Sequence, residues 1–308
     1  MSLPVRSLHT RNFQTMNRRT FLGTATAVAA GTLLSSHVGW AAEEHKIEKI
    51  GVQLYTVRDQ MKADLEGTLA KVAAIGYKEV EFAGYFGRTP QEIRSQLQKN
   101  GLRSPSFHID YDQITAEKLP AHIESAKIIG QHYIVNPWVP EELRKTQDDW
   151  KRIGHNFNRA GDECQRAGLQ FAYHNHWFEF LPINGKAPYL TLLEEADHEL
   201  VKMELDLCWI TVGGGDPFDY FTRYPGRFPL VHVKDVKKIP PVSQAGSQDF
   251  GSSMKEMTEV GSGVIDFKKI FADSERAGIK HYIVEHDHPE KPFESIRISY
   301  EYLNKLRW

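Results

Sequence analysis

Val201-Lys202-Met203-Glu204-Leu205-Asp206-Leu207-Cys208 is the stretch on which the fold turns. Read as a strand, it alternates: Met203, Leu205 and Leu207 fall on one face, Glu204 and Asp206 on the other. Seven further β-rich runs flank it, at roughly 49–56, 79–83, 103–108, 132–138, 170–176, 229–235 and 281–287. Between and after the runs lie amphipathic segments near 64–75, 89–100, 116–129, 148–167, 187–196, 216–223, 266–277 and 293–305. Several end on glycine just before the next strand (Gly76, Gly101, Gly130, Gly168, Gly278), as helices closed by a left-handed residue do. Strand–helix alternation with short connections implies parallel strands, and eight units predict a single-domain α/β fold, the (β/α)₈ TIM barrel. An open doubly wound sheet is the alternative. It would normally carry a glycine-rich phosphate turn after its first strand, where this chain has Tyr55-Thr56-Val57-Arg58-Asp59.

In a barrel, one strand parity faces the interior, and chemistry sits at the strands' C-terminal ends. Nearly every run ends with polar groups on one parity: Gln53 and Tyr55, Glu79 and Glu81, Ser106 and His108, Asn136 and Trp138, His174 and His176, Glu204 and Asp206, His232 and Lys234, Glu285 and Asp287. Any one of these has a dull explanation; Glu79 reads as a solvated strand-start charge. Together they are best explained by a cation, because buried carboxylates are costly unless paired or bound to metal. The set predicts one divalent ion held by His174, Asp206, His232 and Glu285, with His176 the strand-five alternative to His174. Two imidazoles and two carboxylates suit Mn, Fe, Co or Zn. Cys164 and Cys208 form no CxxC pair and read as small buried hydrophobes. HExxH and EF-hand patterns are absent from the sequence.

The 308 residues, 25% charged with a formal net charge of −2, show no basic cluster that would suggest a nucleic-acid partner. At the N-terminus, Asn17-Arg18-Arg19-Thr20-Phe21-Leu22 precedes a small, apolar run from Gly23 to about Ser35 and the segment Gly39-Trp40-Ala41-Ala42. This predicts a twin-arginine-type export signal over residues 1–41, the true start being Met1 or Met16. The run is too short and too rich in Ala, Gly and Thr to span a membrane, so no stable anchor is expected after cleavage. The remaining residues 42–308 have the usual length of a (β/α)₈ barrel. One long connection, 236–264, carries Pro240-Pro241 and Val260-Gly261-Ser262-Gly263, and reads as a lid or binding segment.

With these pieces in order, the chain resembles the sugar phosphate isomerase/epimerase superfamily, the xylose-isomerase-like barrels, over roughly residues 49–305. The resemblance rests on Gly51-Val52-Gln53-Leu54-Tyr55, Tyr173-His174-Asn175-His176, Glu204-Leu205-Asp206, His232-Val233-Lys234-Asp235, Gly261-Ser262-Gly263-Val264-Ile265-Asp266-Phe267 and Val284-Glu285. It implies one metal held at the ends of strands five to eight, usually by Glu, Asp, His and Glu. Asp206, His232 and Glu285 match in type, and His174 departs from the usual Glu.

That departure bears on mechanism. The superfamily's two-base epimerases use the strand-five and strand-eight glutamates, and here only Glu285 stands. The sequence therefore favours chemistry with one base and a metal-stabilised enolate: isomerisation, dehydration or β-elimination on a sugar, keto-sugar or glycoside. His176 or Glu285 would take the α-proton, and Lys234 would stabilise the oxyanion or protonate a leaving oxygen. Tyr55, Glu81, His108 and Asn136 would hold substrate, with Trp138, Trp177 and Trp209 as platforms for a sugar face. Export and the lack of a clustered Arg/Lys cradle point to an unphosphorylated carbohydrate; a homo-oligomer is allowed. Rival readings are an epimerase of the same superfamily, a metal-dependent endonuclease-like phosphodiesterase and a non-catalytic exported sugar-binding barrel.

Overall fold

The computed structural model describes residues 44–242 and 255–308. The expected export signal and the middle of the 236–264 connection, including its reading as a lid, lie outside the described residues. Eight strands form where alternation predicts them, each somewhat shorter: β1 (Ile50–Gln53), β2 (Glu79–Glu81), β3 (Ser106–His108), β4 (Tyr133–Asn136), β5 (Gln170–His174), β6 (Val201–Asp206), β7 (Leu230–Val233) and β8 (His281–Val284). They pair in parallel in the order β2-β1-β8-β7-β6-β5-β4-β3. Parallel bridges from Glu79 to Arg103 and from Phe82 to Phe107 bring β2 against β3 and close the ring. The chain is a TIM barrel.

Helices cover the outside for reasons visible in their residues. The longest of the described helices, Gln147–Arg166, opens on a capping box between Thr146 and Asp149 and buries Trp150, Ile153, Phe157, Ala160 and Cys164 along one face. Phe157 meets Phe171 and Tyr173 of β5 at ring separations of 5.3 and 5.1 Å. Its burial contributes about 2–3 kcal/mol. No described helix is long and apolar enough to cross a membrane.

Inside the barrel, Tyr133, Val135, Ala172, Leu230 and Ile283 form a separate apolar cluster, and the rest of the inner face is largely polar. Register fixes which residues share that face: Gln53 lies beside Glu81, His174 beside Glu204, and Asp206 beside His232.

The sequence reading needs four corrections. Asn136 pairs with Tyr173 on the outer face, because the inward residues of β4 are Tyr133 and Val135. Glu79 is buried, 2.8 Å from His281 Nδ1, rather than solvated. Residues 207 and 208, expected as the end of the strand, belong instead to a helix, Leu207–Val212, which Asp206 caps by accepting the Cys208 and Trp209 amides. The expected helix 266–277 is two, Phe267–Phe271 and Ser274–Ala277.

The long connection is tied at its base. Asp235 and Val236 pair antiparallel with Thr258 and Met257. The buried Asp235 carboxylate accepts four backbone N–H groups: Gly261 and Gly263 at 3.0 Å, Val236 at 2.9 Å and Ile265 at 3.2 Å. A Cβ on Gly263 would fall 2.2 Å from that carboxylate, which accounts for the glycine.

Candidate active site

Strands β5 to β8 deliver four side chains to one place. His174 ends β5, Asp206 ends β6, His232 lies in β7, and Glu285 follows β8 by one residue. One ligand atom from each lies within 4.8 Å of all the others, and all four residues are buried. His174 Nε2 is 3.3 Å from Asp206 Oδ2. His232 Nδ1 is 2.8 Å from Glu285 Oε2 and 3.9 Å from Asp206 Oδ2. Asp206 divides its oxygens, Oδ1 capping the 207–212 helix and Oδ2 facing the cluster.

A second buried layer supports the first. His232 Nε2 lies 2.7 Å from Glu81 Oε2 and 3.3 Å from Glu204 Oε2. His108 Nε2 bridges the same carboxylates at 3.0 and 2.9 Å, and Gln53 donates to Glu81 at 2.8 Å. A carboxylate behind an imidazole fixes its ring and tautomer and strengthens it as a ligand.

Lys234 is buried among Glu285, Asp287 and Asp206, with Nζ 2.7, 2.9 and 3.1 Å from their oxygens. Burial opposes its charge, but Asp206, Asp287 and Glu285 hold its pKa well above the usual lysine value. Burial likewise favours a protonated Glu285, yet Lys234 and His232 hold its carboxyl well below the usual range. On Asp287 burial prevails over Lys234 and the pKa is raised. His174 and His176 are both held well below the ordinary imidazole value, first by burial, then by neighbouring imidazoles and Lys234. His108 loses charge stability to burial and regains more from Glu81 and Glu204, so it titrates at about 9. Behind β5, the buried Glu179 accepts from the Tyr173 hydroxyl at 2.5 Å and from the His176 backbone N–H at 2.9 Å. Burial pushes its carboxyl up to about 7.

Above the cluster opens a cavity of about 720 Å³. Among its lining are His174, His176, Lys234, Glu285, Tyr55, His108, Trp138, Trp177 and Trp209, nine of the residues singled out in the sequence. His176 stacks between aromatic neighbours, 5.7 Å from Phe178 and 6.0 Å from Trp209, with Trp138 edge-on at 4.9 Å.

The sequence model of the family described as the xylose isomerase-like TIM barrel matches residues 69–306. The chain belongs to that family. Among curated proteins it is 29% identical over 266 residues to an inosose dehydratase of Lacticaseibacillus casei, covering 78% of this chain and 88% of that one. An inosose dehydratase of Geobacillus kaustophilus is 24% identical, with 77% and 86% covered. Among solved structures, a sugar phosphate isomerase/epimerase from Parabacteroides distasonis ATCC 8503 superposes with a TM-score of 0.67 at 28% identity, covering 83% of this chain and 93% of that one. The IOLI protein, solved with a bound zinc atom, shares the fold at 15% identity and a TM-score of 0.65, with 82% and 95% covered.

Within this xylose isomerase-like barrel, the donor set fits a divalent ion. Two imidazole nitrogens and two carboxylate oxygens are a borderline N/O set. His174 is held neutral with its lone pair available, and its buried Nδ1 has no hydrogen-bond partner. The barrel does not bring every expected residue to the cavity. Glu81 is sealed in the layer below, so it reaches substrate only through His108 or His232. Asn136 faces outward and donates to the Ile109 carbonyl. Asp110, Gln113, His122 and His288 line the cavity without having been singled out. They sit beyond strand ends, where alternation carries no signal; only the polar run Asp110-Tyr111-Asp112-Gln113, shortly after β3, contains two of the four.

Proposed function

We propose that this protein is a divalent-metal-dependent enzyme acting on an unphosphorylated keto-sugar or related cyclic polyol, with elimination of water as its reaction. The observation that carries this reading is the convergence of His174, Asp206, His232 and Glu285, with Lys234 beside them, next to a cavity that His174, Glu285 and Lys234 line. Its similarity to proteins named inosose dehydratase, over most of their length, favours dehydration over isomerisation. When bound, the ion supplies Lewis acidity that acidifies a C–H bond next to a carbonyl.

The chain's own groups supply the rest. His176, kept neutral by burial and lining the cavity, takes the α-proton, and the C–H electron pair becomes the new C=C bond. The β-hydroxyl leaves with a proton from Lys234, so that one water departs; Asp206, Glu285 and Asp287 keep that ammonium charged and aimed. Trp138, Trp177 and Trp209 shield the ring from bulk water. His174 in the β5 position leaves no second carboxylate opposite Glu285, which weighs against two-base epimerisation. The enzyme acts after export, directed by the twin-arginine-type segment in residues 1–41.

The test strips the purified protein with chelator and reloads it with Mn²⁺, Fe²⁺, Co²⁺ or Zn²⁺. It then follows inososes and keto-sugars for conjugated-enone absorbance and for α-proton exchange in D₂O. About one equivalent of metal with enone formation is expected. Exchange without enone would reject dehydration in favour of isomerisation, and two or three metals, or none, would reject the site. Fractionation of cells expressing the Arg18→Lys, Arg19→Lys double variant tests export, which predicts loss of the exported form.

A further inference from the structure

The cavity is larger than the chemistry beside the cluster requires. At about 720 Å³ it lies in the range that encloses a drug-sized ligand, roughly 300–1,000 Å³, well beyond one sugar ring. It also has two halves. The ligand cluster and Lys234 come from β5 to β8, which are contiguous in the ring. The other half is built by the segments that follow β1, β3 and β4 and presents Tyr55, Asp110, Gln113, His122 and Trp138. None of these five belongs to the ligand cluster.

Their chemistry is that of a carbohydrate platform. Tyr55 and Trp138 are each 39% exposed, high for aromatic rings, and both turn surface to the cavity. Each has a guanidinium near its ring: Arg58 lies 4.1 Å from the Tyr55 centroid and Arg144 5.0 Å from that of Trp138. A guanidinium over each ring is attracted to its face and favours one ring position. Trp138 stands at the seam, edge-on to His176. Beside the rings, Gln113 is held by His122 at 3.2 Å, and Asp110 adds a carboxylate. Aromatic faces suit the C–H face of a pyranose, and carboxylate and amide suit its hydroxyl edge. A carboxylate here disfavours a phosphate.

We propose that this half is a subsite for a second, neutral sugar ring, so that the substrate is a glycoside. Its keto ring lies over the β5–β8 cluster, and its other ring lies against Tyr55 and Trp138 with hydroxyls on Asp110 and Gln113. The assignment rests on the proposed function for the position of the keto ring, and the experiment separates the two.

Titration calorimetry on the metal-loaded protein compares glucose with maltose, cellobiose and trehalose, in the wild type and in Asp110→Ala and Gln113→Ala. At least one disaccharide should bind about tenfold more tightly than glucose. Each variant should lose most of that advantage while its glucose affinity changes less than about twofold. The matching keto-disaccharide should be turned over with a higher kcat/KM than the keto-monosaccharide, and the variants should abolish only that difference. Disaccharide binding without turnover of either ketone would leave the subsite standing and reject the proposed function. Equal affinity for glucose and all three disaccharides, or variants that weaken both classes alike, would overturn the subsite.

Discussion

Glu179 offers a direct test of how the barrel holds the turn that follows β5. Its carboxyl is fully buried behind β5, where burial raises its pKa from 4.5 to about 7 against the Tyr173 hydroxyl and the His176 amide. A carboxyl whose pKa is higher folded than unfolded is protonated in the native state first. Its stabilising contribution is therefore complete below pH 4.5 and is lost as pH rises towards 7. At about 1.4 kcal/mol for each pH decade, the span from 4.5 to about 7 amounts to about 3 kcal/mol. Glu179→Gln keeps the shape and one acceptor oxygen but cannot ionise. The assay is urea unfolding of both proteins in chelator from pH 4.5 to 8. Histidines such as His174 and His176, whose lowered pKa values make stability fall as pH drops below about 6.5, contribute equally to both proteins and cancel in the difference. Relative to the wild type, the variant should gain about 3 kcal/mol across the range, levelling off above pH 7. A difference that stays flat with pH would refute the reasoning.

Other perturbations probe the centre and the loop base. His174→Ala should lose the bound metal by elemental analysis; retention of metal with lowered stability would make that histidine structural. Lys234→Met leaves Asp206, Glu285 and Asp287 without their cation. It should lower the chelator-treated protein's stability by about 3–5 kcal/mol in urea, and excess metal should recover part of the loss. Asp235→Ala strands four backbone donors and should cost about 3 kcal/mol or more, read as a lowered thermal midpoint, with Asp235→Asn intermediate.

The four expected ligands share one property: each stands in, or one residue past, a strand whose two faces differ in polarity. In β6, Met203 and Leu205 against Glu204 and Asp206 fix the inward face without ambiguity, and His174 and His232 follow by the same contrast. Tyr133-Ile134-Val135-Asn136 has no such contrast, so the polar Asn136 was assigned inward when the chain turns it out. Glu79 finds its partner His281 across a separation of 202 residues, which no local pattern reveals. Leu207-Cys208-Trp209-Ile210-Thr211-Val212 is β-rich by composition and helical in fact, because the cap from Asp206 and the tertiary packing outweigh propensity. Asp110, Gln113 and His122 lie in turns, helices and loops beyond strand ends, and only the assembled mouth shows what they face, while Glu179 lies in a short helix behind β5.

The knot at Asp235 has a consequence for how such a barrel can change over generations. One carboxylate gathers amides from both sides of the 236–264 excursion, next to Lys234 in the chain. The excursion is thereby insulated from the strand that bears the lysine. Insertions, deletions or wholesale exchange of residues between the ribbon strands can be tried by evolution, or by an engineer, without disturbing the ammonium beneath. Change in the connection and constancy around the lysine are thus assigned to different sides of a single aspartate.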